Sequence, residues 1–251
     1  MRPIYFISDV HLSAGRSNLS SCKETKLLQF LETKGAQAET IYLVGDIFDF
    51  WLEYASVIPR QYFTLLCHLR TLVSSGVRIE FITGNHDFWL ESFFPDTLKI
   101  PVHRNAIDVN LNGKRYYIAH GDGLFRNERA YRFFKRIIQF KLNIRLYRLL
   151  HPEIGFALAN ACSKLSRQHG NDKDRDADYI QVASSRFKEG YNGVIMGHAH
   201  RPLVYREQDH TYLNIGDWMT HFTYGKLVDG NLTLEHWLDE VKTASASEEE
   251  T

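Results

Sequence analysis

The chain has 251 residues, of which 44% are hydrophobic and 24% are charged, as in an ordinary globular protein. Its formal net charge is zero, so bulk charge predicts neither nucleic-acid binding nor another polyanionic partner. No run of about 18 apolar residues occurs, which excludes a predicted membrane-spanning helix. The three cysteines are scattered along the chain, which predicts reduced thiols rather than disulfides. No signal-peptide pattern precedes the apolar run that begins at Ile4, and we therefore expect a cytoplasmic protein.

Five short apolar runs predict buried β-strands, and helical patterns separate the first three. In chain order the predicted strands are Ile4–Ser8, Thr40–Val44, Val77–Thr83, Arg115–Ala119 and Gly193–Met196. Helices are predicted over Lys23–Lys34, which has leucines at helical spacing, and over Pro59–Ser75, which stops before Gly76. Turns at Asn112-Gly113 and Asp229-Gly230 predict later antiparallel hairpins. The pattern favours an α/β protein with a mixed sheet, or two packed sheets, flanked by helices.

One domain is predicted over residues 1–240, with a helical insertion at about 124–178 and a disordered acidic tail at 242–251. Between Arg126 and Arg148 the insertion has eight Lys or Arg residues and one acidic residue, Glu128. On a helix, Arg129, Arg132 and Arg136 would form a basic stripe. Tyr131, Phe134 and Ile138 would form an apolar stripe on the opposite side. This pattern is typical of segments that face anionic lipid. Packing of the apolar stripe on the main domain explains it equally well.

Each predicted strand is followed by a short cluster of carboxylate, amide or imidazole side chains. The clusters are Asp9-Val10-His11, Gly45-Asp46, Gly84-Asn85-His86-Asp87, His120-Gly121-Asp122 and Gly197-His198-Ala199-His200. Because ligands gather at the carboxyl ends of strands in α/β sheets, these clusters are expected to converge on one rim. In extended backbone, residues two apart share a face, which would bring together Asp9 with His11 and His198 with His200.

Together these side chains provide enough oxygen and imidazole ligands for two divalent metal ions. Imidazoles and carboxylates suit Mn, Fe or Zn, and Asp46 is our choice for the carboxylate that bridges both ions. Two such ions about 3.5–4 Å apart can hold a hydroxide between them and stabilise an in-line displacement at phosphorus. Each cluster alone is a weak signal, because Asp-x-His and His-x-His also occur in turns and surface loops. All five in this order predict a two-metal hydrolase.

The five clusters resemble the motifs of the calcineurin-like metallophosphoesterases, with Gly45-Asp46-Ile47-Phe48-Asp49 as the second motif. The resemblance covers about residues 4–123 and 193–225 and implies a four-layer α/β/β/α sandwich with a helical insertion. It implies one metal held by Asp9, His11, Asp46 and His200, and another held by Asp46, Asn85, His120 and His198. His86 resembles the family's catalytic histidine, with Asp87 able to orient it. Asp49 and Asp122 would support the ligands.

The residues around the clusters resemble one branch of that family, the UDP-2,3-diacylglucosamine hydrolases of lipid A biosynthesis. The motifs concerned extend from Gly45 to Trp51, from Gly84 to Trp89 and from Gly197 to Pro202. The resemblance implies hydrolysis of the pyrophosphate of UDP-2,3-diacylglucosamine to UMP and 2,3-diacylglucosamine 1-phosphate by a metal-bridging hydroxide, usually with Mn²⁺. It also implies a peripheral protein on the cytoplasmic face of the inner membrane, bound to anionic lipid through the insertion.

The resemblance assigns substrate contacts to Asn85, Glu128, Tyr131, Lys164, Lys173 and His198. The spacing around the two lysines departs from the family pattern, and both fit solvated surface positions equally well. His86 stands where many members of the branch have Arg, which leaves open another lipid-linked or soluble nucleotide diphosphate or phosphodiester as substrate. A non-catalytic scaffold is the alternative from a different class. Nucleic-acid binding is not expected, and the sequence does not predict an oligomeric state.

Overall fold

A computed structural model of the protein describes residues 1–13, 18–54, 56–125, 129–158 and 175–237. In chain order its strands are β1 Ile4–Ile7, β2 Thr40–Val44, β3 Arg78–Ile82, β4 Val102–His103, β5 Ile107–Leu111, β6 Lys114–Ala119, β7 Gly193–Met196, β8 Leu203–Glu207, β9 His210–Asn214, β10 Thr223–Val228 and β11 Asn231–His236. The helices are α1 Asn18–Thr33, α2 Phe63–Ser74, α3 Arg129–Ile138, α4 Lys141–Tyr147, α5 over 152–158 and α6 Asp176–Lys188.

The described strands form two sheets. The first has the order β11-β10-β1-β2-β3-β4 and the second has the order β5-β6-β7-β9-β8. Strands β1 to β4 are parallel to one another, as are β6, β7 and β9, whereas the remaining neighbours are antiparallel. The predicted hairpins join β5 to β6 and β10 to β11, and Asn112-Gly113 and Asp229-Gly230 both have positive φ, as such two-residue turns require. Two packed sheets are therefore the correct alternative.

The strands build separate layers because alternate side chains point to opposite faces. On β1, Ile4 and Phe6 enter the core between the two sheets, whereas Tyr5 and Ile7 enter the core that includes apolar residues of α1 and α2. On β7, Ile195 faces the core between the sheets and Val194 packs with residues of α6. Helices thus cover the outer face of each sheet. This confirms the predicted four-layer α/β/β/α sandwich.

The predicted element boundaries were accurate for strands and less so for helices. Thr40–Val44 and Gly193–Met196 match the observed strands residue for residue. Helix α1 begins at Asn18, five residues before its predicted start, because only its later turns have the leucine spacing on which the prediction relied. The second predicted helix begins with a 3₁₀ turn at Arg60–Tyr62 and continues as α2.

Helices α3, α4 and α5 belong to the predicted insertion, which lies between β6 and α6. Ile144 of α4 packs with Leu52 and Trp89, and Arg148 forms an ion pair with Glu91 at 2.6 Å. Large apolar side chains nevertheless remain exposed along this segment: Phe133, Ile137, Phe140, Leu142, Leu146, Leu149, Ile154 and Leu158. Among the helices that the structure describes, none has both the length and the apolar character needed to cross a bilayer.

Of the apolar stripe predicted for α3, the structure describes the side chain of Ile138 alone. Ile138 packs on the cluster that contains Leu52 and Trp89, as the alternative of packing on the main domain requires. Two apolar residues outside the predicted stripe, Phe133 and Ile137, are exposed over 65% and 45% of their surfaces. The side chains of Tyr131 and Phe134 are outside the described part of the structure. The helix therefore presents apolar residues both toward the main domain and away from it.

Candidate metal centre

The polar clusters converge at one rim, as the sequence predicted. Asp9 follows β1, Asp46 follows β2 and Asn85 follows β3 in the first sheet, whereas His120 follows β6 and His198 follows β7 in the second. Three groups of side chains each place ligand atoms within 4.8 Å of one another: Asp9, His11 and His200; His11, Asp46 and His86; and Asp46, His120 and His198. The ends of both sheets thus contribute to one centre.

The backbone at the ligands is left-handed. Asp9, His11, Asp46, His198 and His200 have φ values of 54°, 49°, 55°, 67° and 55°. Such values are uncommon for residues other than glycine, and they cluster at functional sites where the surrounding structure holds them. The prediction that extended backbone aligns Asp9 with His11, and His198 with His200, is therefore wrong. Asp9 and His11 still converge, because the chain turns sharply after β1 ends. His198 and His200 instead belong to different groups of ligand atoms.

The first metal position has ligand atoms at the spacing that one ion requires. Nε2 of His200 lies 3.2 Å from Oδ1 of Asp9 and 3.2 Å from Nε2 of His11. Nε2 of His11 lies 3.7 Å from Oδ2 of Asp46. Bonds of about 2.1 Å to one ion place tetrahedral ligand atoms roughly 3.4 Å apart. The predicted set Asp9, His11, Asp46 and His200 therefore fits a divalent cation.

The second metal position has imidazole nitrogens suited to bind a cation. Nδ1 of His120 lies 2.9 Å from the carbonyl oxygen of Val44, which can only accept, so Nδ1 donates and Nε2 is the nitrogen that a cation would bind in place of a proton. That Nε2 lies 3.1 Å from Oδ1 of Asn85 and 3.3 Å from Oδ2 of Asp46. Nδ1 of His198 is buried without a hydrogen-bond partner among the described residues. A cation at this position would satisfy these atoms.

Asp46 lies between the two positions. Its Oδ2 faces both His11 and His120, and its Oδ1 accepts a hydrogen bond of 2.9 Å from the main-chain N–H of His86. Burial alone would raise the pKa of this carboxyl group, but the neighbouring His120 and His86 outweigh burial and lower it. Asp46 is thus ionised and oriented as a bridging ligand must be.

Two glycines are required by the close packing around Asp46. Gly45 has a φ of +82°, and a Cβ atom there would lie 2.5 Å from Nδ1 of His120. A Cβ atom on Gly84 would meet Oδ1 of Asp46, although its φ is ordinary. Glycine at position 45 therefore permits both the turn and the close contact with His120. Glycine at position 84 permits only the close contact with Asp46.

His86 and Asp87 both make hydrogen bonds to the main chain. Both carboxylate oxygens of Asp87 accept main-chain hydrogen bonds, from Gly84 at 2.8 Å and from Ile47 at 2.9 Å. Nδ1 of His86 donates to the main-chain carbonyl of Asp49 at 3.0 Å. Asp87 thus holds the turn and joins it to the segment after β2, and its assignment as the residue that orients His86 stays a prediction. The assignment of His86 as catalytic rather than as a ligand stays a prediction.

The predicted supporting carboxylates are close to the ligands. Oδ1 of Asp49 lies 3.3 Å from Nδ1 of His11. Asp122 is buried beside His120 and His198, and although burial raises the pKa of its carboxyl group, the charges of His120 and Lys135 lower it below the usual value. The pKa of Asp87, by contrast, is raised to about 7 by burial and by the charge of Asp46. Asp49 and Asp122 thus lie behind the imidazoles of the predicted ligands.

Two buried residues that support the centre were missed. Nζ of Lys23 on α1 donates to the carbonyl oxygen of His11 at 2.6 Å, and Nδ2 of Asn214 donates to the carbonyl oxygen of Gly197 at 3.1 Å. Asn214 ends β9 after an apolar run, so it has the same sequence signal as the predicted clusters. Lys23 has no such signal, because its contact depends on how α1 packs.

The side chains of the four predicted substrate contacts outside the centre are not part of the described structure. Glu128, Lys164 and Lys173 lie outside the described residues. Tyr131 is part of α3, but its side chain is likewise outside the described structure. These four assignments stay predictions, whereas Asn85 and His198 lie in the second metal position.

Comparison with known proteins agrees with this geometry. Residues 2–202 match the profile described as calcineurin-like phosphoesterase. The chain therefore belongs to the calcineurin-like phosphoesterase family. It is accordingly a metallophosphoesterase, an enzyme that acts with divalent metal ions, and the clustered Asp and His side chains are the residues suited to hold them.

Several curated relatives share one name. A Porphyromonas gingivalis protein named UDP-2,3-diacylglucosamine hydrolase is 31% identical, with 94% of this chain and 98% of the relative covered. A Haemophilus ducreyi protein of that name is 31% identical, with 87% and 92% covered. A Neisseria meningitidis protein of that name is also 31% identical, with 92% and 96% covered. The similarity thus extends through the insertion as well as the motifs.

Metal binding is expected to strengthen as the pH rises. Burial lowers the pKa of both His11 and His120, but the neighbouring carboxylates outweigh it and raise the values to about 9 and about 10. The metal-free protein therefore retains these protons at neutral pH, and a cation must displace them. Apparent affinity should rise by up to about tenfold per pH unit for each displaced proton between about pH 7 and about pH 9. Calorimetry in two buffers of different ionisation enthalpy measures the release; pH-independent binding without release contradicts it.

Asp46→Ala and His86→Ala are expected to fail in different ways. The first removes the carboxylate shared by both positions, so mass spectrometry of the metals should show both ions lost. The second should retain both ions and lose about 10²–10⁴-fold in turnover, as expected for an acid–base group. Asp108→Ala, which removes an exposed carboxylate from β5, is the matched control. Metal loss in His86→Ala would assign that residue to the ligand set instead.

Proposed function

We propose that the protein hydrolyses the pyrophosphate linkage of UDP-2,3-diacylglucosamine, releasing UMP and 2,3-diacylglucosamine 1-phosphate. The observation that carries this proposal is the 31% identity to a hydrolase of that name over 94% of the chain. The rim geometry supports the reaction class, because it offers ligands for two cations around one shared carboxylate. Mn²⁺ is the proposed metal, and Fe or Zn would suit the same nitrogen and oxygen ligands.

The reaction adds water across a P–O–P linkage, so one P–O bond forms and one breaks. When bound, two divalent ions supply Lewis acidity at phosphorus and activate the attacking water. Asp46 holds the two positions together, and Asn85 and His198 lie where a phosphoryl oxygen would approach the second position. The buried carboxylates of Asp9 and Asp46 stay ionised, and cations would take over the compensation that the protons of His11 and His120 provide in the metal-free protein.

His86 is proposed to act on the phosphate or the leaving group. Its Nδ1 donates to the carbonyl oxygen of Asp49, and Nε2 is the nitrogen proposed to act on the substrate. Nε2 donates a proton only when the ring is doubly protonated. Burial lowers the pKa of His86, whereas an arriving diphosphate raises it through its negative charge. Substrate binding thus prepares His86 to serve as an acid.

The surface of the insertion supports a lipid-linked substrate over a soluble nucleotide. Of the large apolar side chains that are exposed in the described structure, most lie between Phe133 and Leu158. Exposed apolar patches of this kind mark sites that contact lipid or another apolar partner. Basic residues such as Arg136 and Arg145 are exposed on the same segment. The insertion is therefore proposed to hold the acyl chains and to bind the anionic cytoplasmic face of the inner membrane.

Purified protein with Mn²⁺ is expected to release UMP from UDP-2,3-diacylglucosamine, because the centre can hold both cations and the linkage is a phosphoanhydride. Chromatographic detection of UMP measures it. Asp46→Ala should show no release, and Asp108→Ala should resemble the parent protein. No release by a protein that demonstrably contains two ions would overturn the substrate assignment. Equal turnover of short-chain and long-chain substrates would favour a soluble nucleotide diphosphate.

Replacement of Phe140 by Glu is expected to weaken binding to vesicles that contain phosphatidylglycerol by at least about tenfold, because it removes an apolar side chain that inserts into lipid. Phe63→Glu on α2 is the matched control, since Phe140 and Phe63 are 62% and 61% exposed. Co-sedimentation measures bound fractions. Equal losses in the two variants, or equal binding to vesicles of neutral lipid, would argue against the insertion as the membrane contact.

A further inference from the structure

Lys135 joins the insertion to the metal centre. Its ammonium group forms an ion pair with the carboxylate of Asp122, which lies two residues after the predicted ligand His120. The two side chains are only 24% and 5% exposed, so the pair is largely withdrawn from water. Asp122 in turn lies close enough to His120 and His198 to interact with their charges. One side chain of α3 is therefore tied to the carboxylate behind the second metal position.

The same ion pair fixes which side of α3 faces the main domain. Successive side chains on a helix are about 100° apart, so residues two positions away lie on nearly the opposite side. Phe133 and Ile137 each lie two positions from Lys135, and both are exposed. A rotation of α3 that buried these two side chains would withdraw Lys135 from Asp122. The outward direction of the apolar residues is thus coupled to the ion pair.

The other contacts of the insertion act elsewhere. Ile144 and Tyr147 of α4 pack near Trp89, and Arg148 pairs with Glu91. These contacts attach α4 to the segment after β3. The rotation of α3 depends on its own contacts. Among its described side chains, Ile138 packs on Leu52 and Trp89, and Lys135 reaches the carboxylate beside the predicted metal ligands.

We propose that Lys135 is a positioning residue, whose ion pair with Asp122 fixes α3 beside the second metal position and thereby sets how the insertion meets the lipid part of the substrate. This inference rests on the proposed function for its substrate, but its structural part does not. Loss of the ammonium group leaves Asp122 beside the imidazoles and removes one of the contacts that set the rotation of α3, so the packing of Ile138 on Leu52 and Trp89 holds the helix less firmly. The insertion would then hold the acyl chains less accurately relative to the diphosphate, which the metal centre would bind.

The test is Lys135→Met, which keeps the length of the side chain and removes its charge. We expect metal content to be unchanged and KM for UDP-2,3-diacylglucosamine to rise roughly tenfold or more, because small misplacements of substrate are costly. The kcat value should change by less than about threefold, since the reacting groups stay in place. Amide hydrogen exchange over α3, measured without substrate, should be faster. Lys135→Arg should restore both properties, and Lys188→Met on α6 is the matched control for loss of a lysine charge.

Each outcome bears on one statement. Unchanged exchange over α3 in Lys135→Met would overturn the positioning role, whatever the substrate is. Faster exchange with unchanged KM would overturn the link to substrate binding, as would an equal rise of KM in Lys188→Met. Loss of metal would show that Lys135 acts through the ligands. If the unaltered protein releases no UMP, the proposed function fails, and hydrogen exchange alone decides the positioning role.

Discussion

The charge of Asp46 is the constraint on which the arrangement of the rim depends. A buried carboxylate is tolerated only where positive charge compensates it, and here the compensating groups come from the ends of both sheets, through His11 and His120. That requirement brings the turns after β1, β2, β3 and β6 to one place. It explains why Gly84 can have no side chain, since any larger residue would displace the carboxylate. In the metal-free protein, protons on the imidazoles provide the compensation. Cations that replace those protons are thus accepted into a site already organised for positive charge.

Much of the fold and the ligand set could be predicted because their signals are local. Thr40–Val44 is a run of apolar residues that ends in Gly45-Asp46, and no distant contact is needed to read it as a strand followed by a ligand. The left-handed backbone at Asp9 and His11 could not be predicted from such a run, since it results from main-chain bonds to the segment after β2. The main-chain contacts of Asp87 could not be predicted for the same reason. Its hydrogen bond to Ile47 joins residues 40 positions apart, and sequence spacing indicated only its neighbour His86.

The two parts of the molecule are stabilised in different ways. The sandwich is held by continuous apolar layers in which strands such as β1 serve two cores at once. The described part of the insertion is held by Ile144 on Leu52 and Trp89 and by the ion pairs of Lys135 and Arg148. These contacts lie outside the apolar layers of the sandwich, so a separate set of side chains attaches the insertion.

The exposed apolar side chains of the insertion have a further consequence for the protein in aqueous buffer. Water disfavours a surface that contains Phe133, Phe140 and Leu149 together. In the absence of lipid or detergent, two copies can cover these residues by placing their insertions against each other. Such association would depend on concentration and disappear on addition of a non-ionic detergent. The size of the particle in plain buffer would then reflect the solvent more than any interface built into the sandwich.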